Sequence, residues 1–93
     1  AAEQGLARAA CCLGQCYESG IGTFPDEAQA ALWYRRAAEQ DYPRGMYALG
    51  RCLETGRGVP RDRTAARNWF QRAADAGLAD AQEALKRRRR RLF

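Results

Sequence analysis

Few side chains in this 93-residue chain could do chemistry: it holds four cysteines, Cys11, Cys12, Cys16 and Cys52, and no histidine. None of the cysteines forms the C-x-x-C pair of a zinc site, so no metal centre is expected. Cys12 and Cys16 share a helix face, where i, i+4 thiols are poorly placed for a disulfide; stacked helices would hold Cys16 and Cys52 too far apart. The thiols therefore read as small core residues, which favours an intracellular reducing compartment. No serine or cysteine has a base beside it, so nucleophilic catalysis lacks its parts. Asp26 and Glu27 lie together at an expected helix start, where capping accounts for them. Gly20-Ile21-Gly22 and Gly56-Arg57-Gly58 join helix to helix and read as turns, not phosphate loops. The chain is expected to be no enzyme and to carry no cofactor.

Charge is concentrated at one end. The net charge is +5, but Lys86, Arg87, Arg88, Arg89, Arg90 and Arg91 are contiguous. The rest of the chain holds ten basic residues against eleven acidic ones, so any argument about polyanions concerns this tail. One reading is a solvated helix end, where the helix dipole favours cations although neighbouring charges repel. Another is contact with a polyanion or a nuclear address. Nucleic acid in particular has less support, because no aromatic residues interleave the arginines. The closing Arg90-Arg91-Leu92-Phe93 also resembles the short basic-Leu-Phe motif that docks on cyclins.

The elements that must position these residues follow from periodicity. Ala30, Trp33, Tyr34, Ala37 and Ala38 fall at i, i+3, i+4, i+7 and i+8, one apolar stripe of an amphipathic helix. Ala66, Trp69, Phe70, Ala73 and Ala74 repeat it 36 positions on. The same shift matches Leu13-Gly14 with Leu49-Gly50, Cys16 with Cys52, Glu18 with Glu54, Gly20 and Gly22 with Gly56 and Gly58, and Asp26 with Asp62. The opening Ala1-Ala2-Glu3-Gln4 equals Ala37-Ala38-Glu39-Gln40. Residues 1–5 are thus expected to end the second helix of a preceding repeat in a longer array.

Each unit reads helix, turn, helix. The first helix is expected from about Leu6 to Ser19, burying Ala9, Cys12, Leu13, Cys16 and Tyr17. Gly14 beside that stripe costs about 1 kcal/mol relative to Ala, which makes sense if a neighbouring side chain, Trp33, presses there. Gly20 ends the helix and Asp26 caps the next, which runs to about Gln40. In the second unit Pro43 opens a helix that buries Gly45, Ala48, Leu49, Cys52 and Leu53; Asp62 opens its partner and Ala76-Gly77 closes it. A third unit begins at Leu78 with Ala81, Ala84 and Leu85. There Lys86 and Arg88 replace Gly50 and Cys52, and a polar last helix lets a solenoid end in water.

Leu13-Gly14, Gly20-x-Gly22, Asp26, Ala30, Trp33-Tyr34 and Ala37-Ala38, with their second copies, resemble the Sel1-like repeat family, relatives of tetratricopeptide repeats. The likeness runs to about Leu85. Departures are Asp41 where a glycine is usual, Leu53 where Tyr17 has the expected aromatic, and the arginine run. The resemblance implies an all-α fold, an α/α superhelix: repeats at 6–41 and 42–77, and a capping helix with a basic tail at 78–93. It also implies an adaptor or scaffold for protein complexes. In that architecture the first helix of each unit lines the concave surface, carrying Arg8, Cys11 and Gln15, then Arg44, Tyr47 and Arg51, then Asp80, Glu83 and Arg87. Tyr47 between two arginines is the candidate grip for a peptide or acidic segment; the alternative is a solvated helix face. Cys11, near that surface, is the residue to test for redox or metal chemistry.

The function expected is a non-catalytic module binding a protein or peptide partner on its concave face. The alternative is a basic tail that docks a polyanion or acidic surface, such as nucleic acid, an anionic membrane or an acidic protein, with the repeats as spacer. Two full repeats bury little surface, so stability is expected to be marginal unless neighbouring repeats or self-association help, and a dimer through the Ala1 end is one way to supply that help. No run approaches the roughly 18 apolar residues of a membrane span, and none reads as a signal peptide.

Overall fold

The computed structural model describes the backbone of residues 2–92 and the side chains of residues 5–88. Five helices follow one another: α1 (Ala2–Ser19), α2 (Glu27–Glu39), α3 (Pro43–Thr55), α4 (Arg63–Asp75) and α5 (Ala79–Leu92). No strand occurs among the described residues. Each helix packs chiefly on its neighbours in sequence, and α1 also touches α3. The molecule measures 42 × 30 × 17 Å. Its shortest dimension is about two helix diameters at the usual 8–10 Å interaxial spacing, so the helices form two layers.

Local chemistry sets the helix ends. Asp26 and Asp62 cap α2 and α4, each accepting a backbone N–H through Oδ1, from Gln29 at 3.1 Å and Ala65 at 3.0 Å. Gly20 and Gly56 stop α1 and α3 in the left-handed region at φ 75° and 74°, donating to the Cys16 and Cys52 carbonyls at 2.8 Å. Asp41 also takes a left-handed φ, 60°, where the next unit has Gly77. An aspartate tolerates that conformation better than most residues, so the departure from glycine leaves the turn intact.

Residues 2–5, expected to close a preceding unit, run without a break into α1. The corresponding break before α3 uses Asp41 and Pro43, whose ring carries no N–H to continue a helix. Ala7 stands at the Pro43 position and keeps that donor, so the helix carries on.

The two α2 and α4 stripes form the core, with one change of role. Fully buried are Tyr34 and Phe70, among Ala30, Ala31, Ala37, Ala38, Ala66 and Ala73. Trp33 and Trp69 are only half-buried at the core's margin, with the Arg36 and Arg72 guanidiniums 4.6 Å over their rings. Tyr34, not Trp33, presses on Gly14: a Cβ built there would lie 2.6 Å from two of its ring carbons. Phe70 does the same at Gly50, at 2.8 Å. One helical position is a rotation of about 100°, enough to move the indole to the flank and its neighbour to the centre.

In α1 the expected stripe is displaced as well. Ala7, Ala10, Cys11 and Gly14 are buried, whereas Ala9, Cys12 and Leu13 are exposed and Cys16 and Tyr17 half-buried. The equivalents of Ala9, Leu13 and Cys16 in α3 are Gly45, Leu49 and Cys52, all buried. The reason is position in the stack: α3 lies between α2 and α4, while α1 packs on α2 and, more lightly, α3. Half of a two-sided stripe is therefore left uncovered. All four thiols are free: Cys11 and Cys52 are buried, Cys16 half-buried and Cys12 exposed.

Candidate interaction surface

The odd helices form one row of the two layers. α1 touches α3, and α5 reaches α3 through Arg44–Asp80 at 3.0 Å and Arg88–Glu54 at 2.7 Å. Among the described residues no side-chain hydrogen bond joins α2 to α4. These ties set α1, α3 and α5 in one row.

The expected residues on this row divide. Arg8, Gln15, Arg44, Arg51, Asp80, Glu83 and Arg87 are exposed. Cys11 is not available: it is 3% exposed, because the α1 stripe lies on its side of the helix. Burial also pushes its thiol up to about 11, with a smaller push from Cys12. A thiolate is thus disfavoured, which removes the basis for a reactive or metal-binding role at neutral pH. Arg44 is held by Asp80. Tyr47 is half-buried, its ring 5.7 Å from that of Phe70 and tilted by 47°. The Arg51 guanidinium stands 5.9 Å from the Tyr47 centroid.

These side chains meet at a cleft of about 120 Å³ between α3 and α5. Tyr47, Phe70 and Ala84 give it apolar walls, and Arg51, Glu54, Arg87 and Arg88 give it charge. Among the described residues Arg51 and Arg87 form no ion pair, whereas Arg88 donates to Glu54 Oε2 at 2.7 Å and to the Arg63 carbonyl at 3.1 Å. Arg88 is thereby drawn out of the expected solvated tail. Lys86 and Arg87 remain exposed; the side chains of Arg89, Arg90 and Arg91 lie outside the described residues.

Sequence reasoning missed Glu54, Phe70 and Ala84 at this cleft, and Arg88 as a structural partner. A signal existed in the repeat. In the first unit the Tyr34 hydroxyl donates to Glu18 Oε1 at 2.7 Å, and Arg57 donates to Oε2 at 3.2 Å. The second unit keeps the carboxylate as Glu54 but has Phe70, which has no hydroxyl to offer. A conserved acceptor facing a lost donor requires a new donor, and α5 supplies Arg88.

A family model described as Sel1 repeat matches residues 7–42 and 43–78. The chain belongs to the Sel1 repeat family. The matched units each begin one residue after the boundaries expected from the repeat. The Sel1 repeat protein from Oxalobacter formigenes is similar at 41% identity and TM-score 0.86, over 88% of this chain and 62% of that one. Helicobacter pylori cysteine rich protein B is similar at 28% identity and TM-score 0.79, over 84% of this chain and 59% of that one. The uropathogenic Escherichia coli protective antigen c5321, described as displaying an SLR fold, is 38% identical with TM-score 0.84, over 91% of this chain and 18% of that one. This Sel1 segment thus spans less than two thirds of each of these proteins. Among curated proteins, none matches it. Sel1 repeat proteins generally act as protein-interaction scaffolds and are typically not enzymes. No described helix is long and apolar enough to cross a membrane.

Proposed function

We propose that this Sel1 segment is a non-catalytic interaction module that holds a protein or peptide partner on the concave row of α1, α3 and α5. The observation that supports it is the α3–α5 cleft, where aromatic walls lie on that row with two arginines that form no ion pair among the described residues. Aromatic residues and arginine are the types most enriched where binding energy concentrates. Helices α2 and α4 expose Arg35, Arg67 and Gln71, together with Leu32.

Photo-crosslinking tests the placement. A photoreactive residue at Gln15 or Glu83, on the concave row, is expected to capture the partner of the parent protein. The same residue at Gln29 or Arg67, on α2 and α4, is expected not to. Capture from the α2 and α4 positions alone would reject the concave reading. Replacing Arg89, Arg90 and Arg91 by Gln keeps the Arg88–Glu54 pair and probes the tail. Wholesale loss of the partner in that variant would replace this reading with the tail as docking element.

A further inference from the structure

Helix α1 carries an apolar face that is left open among the described residues. Leu6 and Leu13 are 66% and 41% exposed, Ala9 and Cys12 are exposed and Cys16 is half-buried. From Leu6 through Ala9 and Leu13 to Cys16 the steps are three, four and three residues, the seam along which one helix lies on another. All four side chains are uncharged, so covering them desolvates no ion.

Three kinds of helix could lie on this seam, and the residues choose between them. A helix like α2 cannot come as near as α2 comes to α3. Ala9 stands where α3 has Gly45, and a Cβ at Gly45 would lie 2.5 Å from Ala37 Cβ. Helix α5 of another copy would press its exposed Asp80, Glu83, Lys86 and Arg87 onto side chains that cannot pair with them. A second α1 fits. Turned antiparallel about a two-fold axis level with position 11, it sets Leu6 of each copy against Cys16 of the other, and Ala9 against Leu13. Every large side chain then meets a small one, as close packing requires. A parallel pair would set leucine on leucine and leave gaps between. The antiparallel operation also brings the two Cys12 side chains together, on the flank turned away from the body. The other flank carries Ala10 and Tyr17, which pack on each copy's own core.

We propose that α1 is an isologous docking face for a second copy of this chain, paired antiparallel with Cys12 beside the two-fold axis. The 18-residue helix is about 27 Å long and about 10 Å wide, a footprint of about 270 Å² per copy. A stable partner buries about 800 Å², so this dimer is reversible and fills as concentration rises. It does not depend on the concave-face reading.

Sedimentation of the whole chain tests the contact. A monomer–dimer equilibrium is expected between about 10 µM and about 1 mM, as suits a small interface. Leu13→Glu should weaken it about tenfold or more. Leu32→Glu, equally exposed but on α2, should leave it unchanged; circular dichroism checks that both variants fold. Bismaleimidoethane tests the register in the Cys16→Ala chain, where Cys12 is the exposed thiol and Cys11 and Cys52 are buried. A covalent dimer is expected there. With Cys12→Ser added, Gly5→Cys should link little, because an antiparallel partner sets position 5 near Ser19. Gln29→Cys on α2 should link little as well. Efficient linking through Gly5→Cys would mean a parallel pair and overturn the proposal. So would linking from Gln29→Cys equal to that from Cys12, growth beyond the dimer, or an equilibrium that Leu13→Glu leaves intact or that Leu32→Glu weakens as much. A monomer at the highest concentration would also overturn it and leave the seam to a further helical unit of a longer chain.

Discussion

Gly45→Ala puts the stacking of one repeat on the next to a quantitative test. Gly45 lies on α3 where it meets α2. A Cβ built there would stand 2.5 Å from Ala37 Cβ and 3.1 Å from both Ala37 C and Ala38 N. Carbon atoms pack at about 3.5–4.0 Å, so the helices would have to part by about 1 Å or more. No rotamer can relieve this, because the obstacles are a methyl group fixed to a backbone and the backbone itself. The cost belongs at the upper end of the range for overpacking, about 3 kcal/mol. Alanine returns about 1 kcal/mol in helix propensity, for a net loss of about 2 kcal/mol. At about 4–8 °C per kcal/mol for a domain of this size, Tm should fall by about 10 °C. Gly5→Ala is the internal control, since nothing lies within 4 Å of a Cβ at that helical position. It should raise stability by up to about 1 kcal/mol. Both are read by urea and thermal unfolding at the 222 nm circular dichroism signal. Ala37→Gly combined with Gly45→Ala removes the methyl-to-methyl clash, so the pair should couple favourably by about 1 kcal/mol or more. If Gly45→Ala stabilises the chain as Gly5→Ala does, the close approach of α2 and α3 is refuted.

Other expectations follow from the same geometry. Tyr34→Phe removes the hydroxyl donated to Glu18 and makes the first unit resemble the second. A hydrogen bond to a charged group in a half-buried site predicts a loss of about 1–2 kcal/mol in urea unfolding; no change would show that Arg57 alone satisfies Glu18. Arg88→Gln should cost about 1 kcal/mol, since its ion pair with Glu54 is largely but not fully sheltered, whereas exposed Lys86→Gln should be near neutral. Equal effects would mean that Arg88 is only part of a solvated tail. Under native conditions iodoacetamide should modify Cys12 first, with Cys11 and Cys52 reacting only on unfolding; early labelling of Cys52 would contradict its burial. Burial raises the Cys11 and Cys52 thiols from 9.0 to about 11. The unfolded chain therefore releases these protons first as pH rises. Stability should be level below pH 9 and fall between about 9 and 11, with the raised Tyr34 hydroxyl adding to the loss above 10. Cys11→Ala/Cys52→Ala should flatten the lower part of that alkaline slope, and an unchanged slope would assign it elsewhere.

The sequence by itself determined the repeat, its helical period and the places where helices begin and end. Those properties are local: a capping aspartate, a glycine in a left-handed turn or a proline at a first turn acts within a few residues of itself. The 36-residue spacing then required that Ala30, Ala37, Ala66 and Ala73 meet equivalent surfaces, which is why the stack was legible. Which aromatic occupied its centre was not, because Trp33 and Tyr34 both fit an amphipathic stripe. Only the angle at which α2 crosses α1 puts Tyr34 on Gly14 and leaves the indole at the flank under Arg36. The same holds for α1, whose residues repeat the pattern of α3 but lack a second neighbour to cover Leu13 and Ala9. Burial is a property of the pair of surfaces, and one strand of sequence states only half of each pair. The candidate site shows this most clearly. Spacing placed Tyr47, Arg51 and Arg87 opposite the buried stripes of their helices, and the Sel1 resemblance implied that those helices share a row. But the pairing of Arg44 with Asp80 and of Arg88 with Glu54 depends on how far α5 leans toward α3. That lean decides which arginines are already engaged and which remain for a partner.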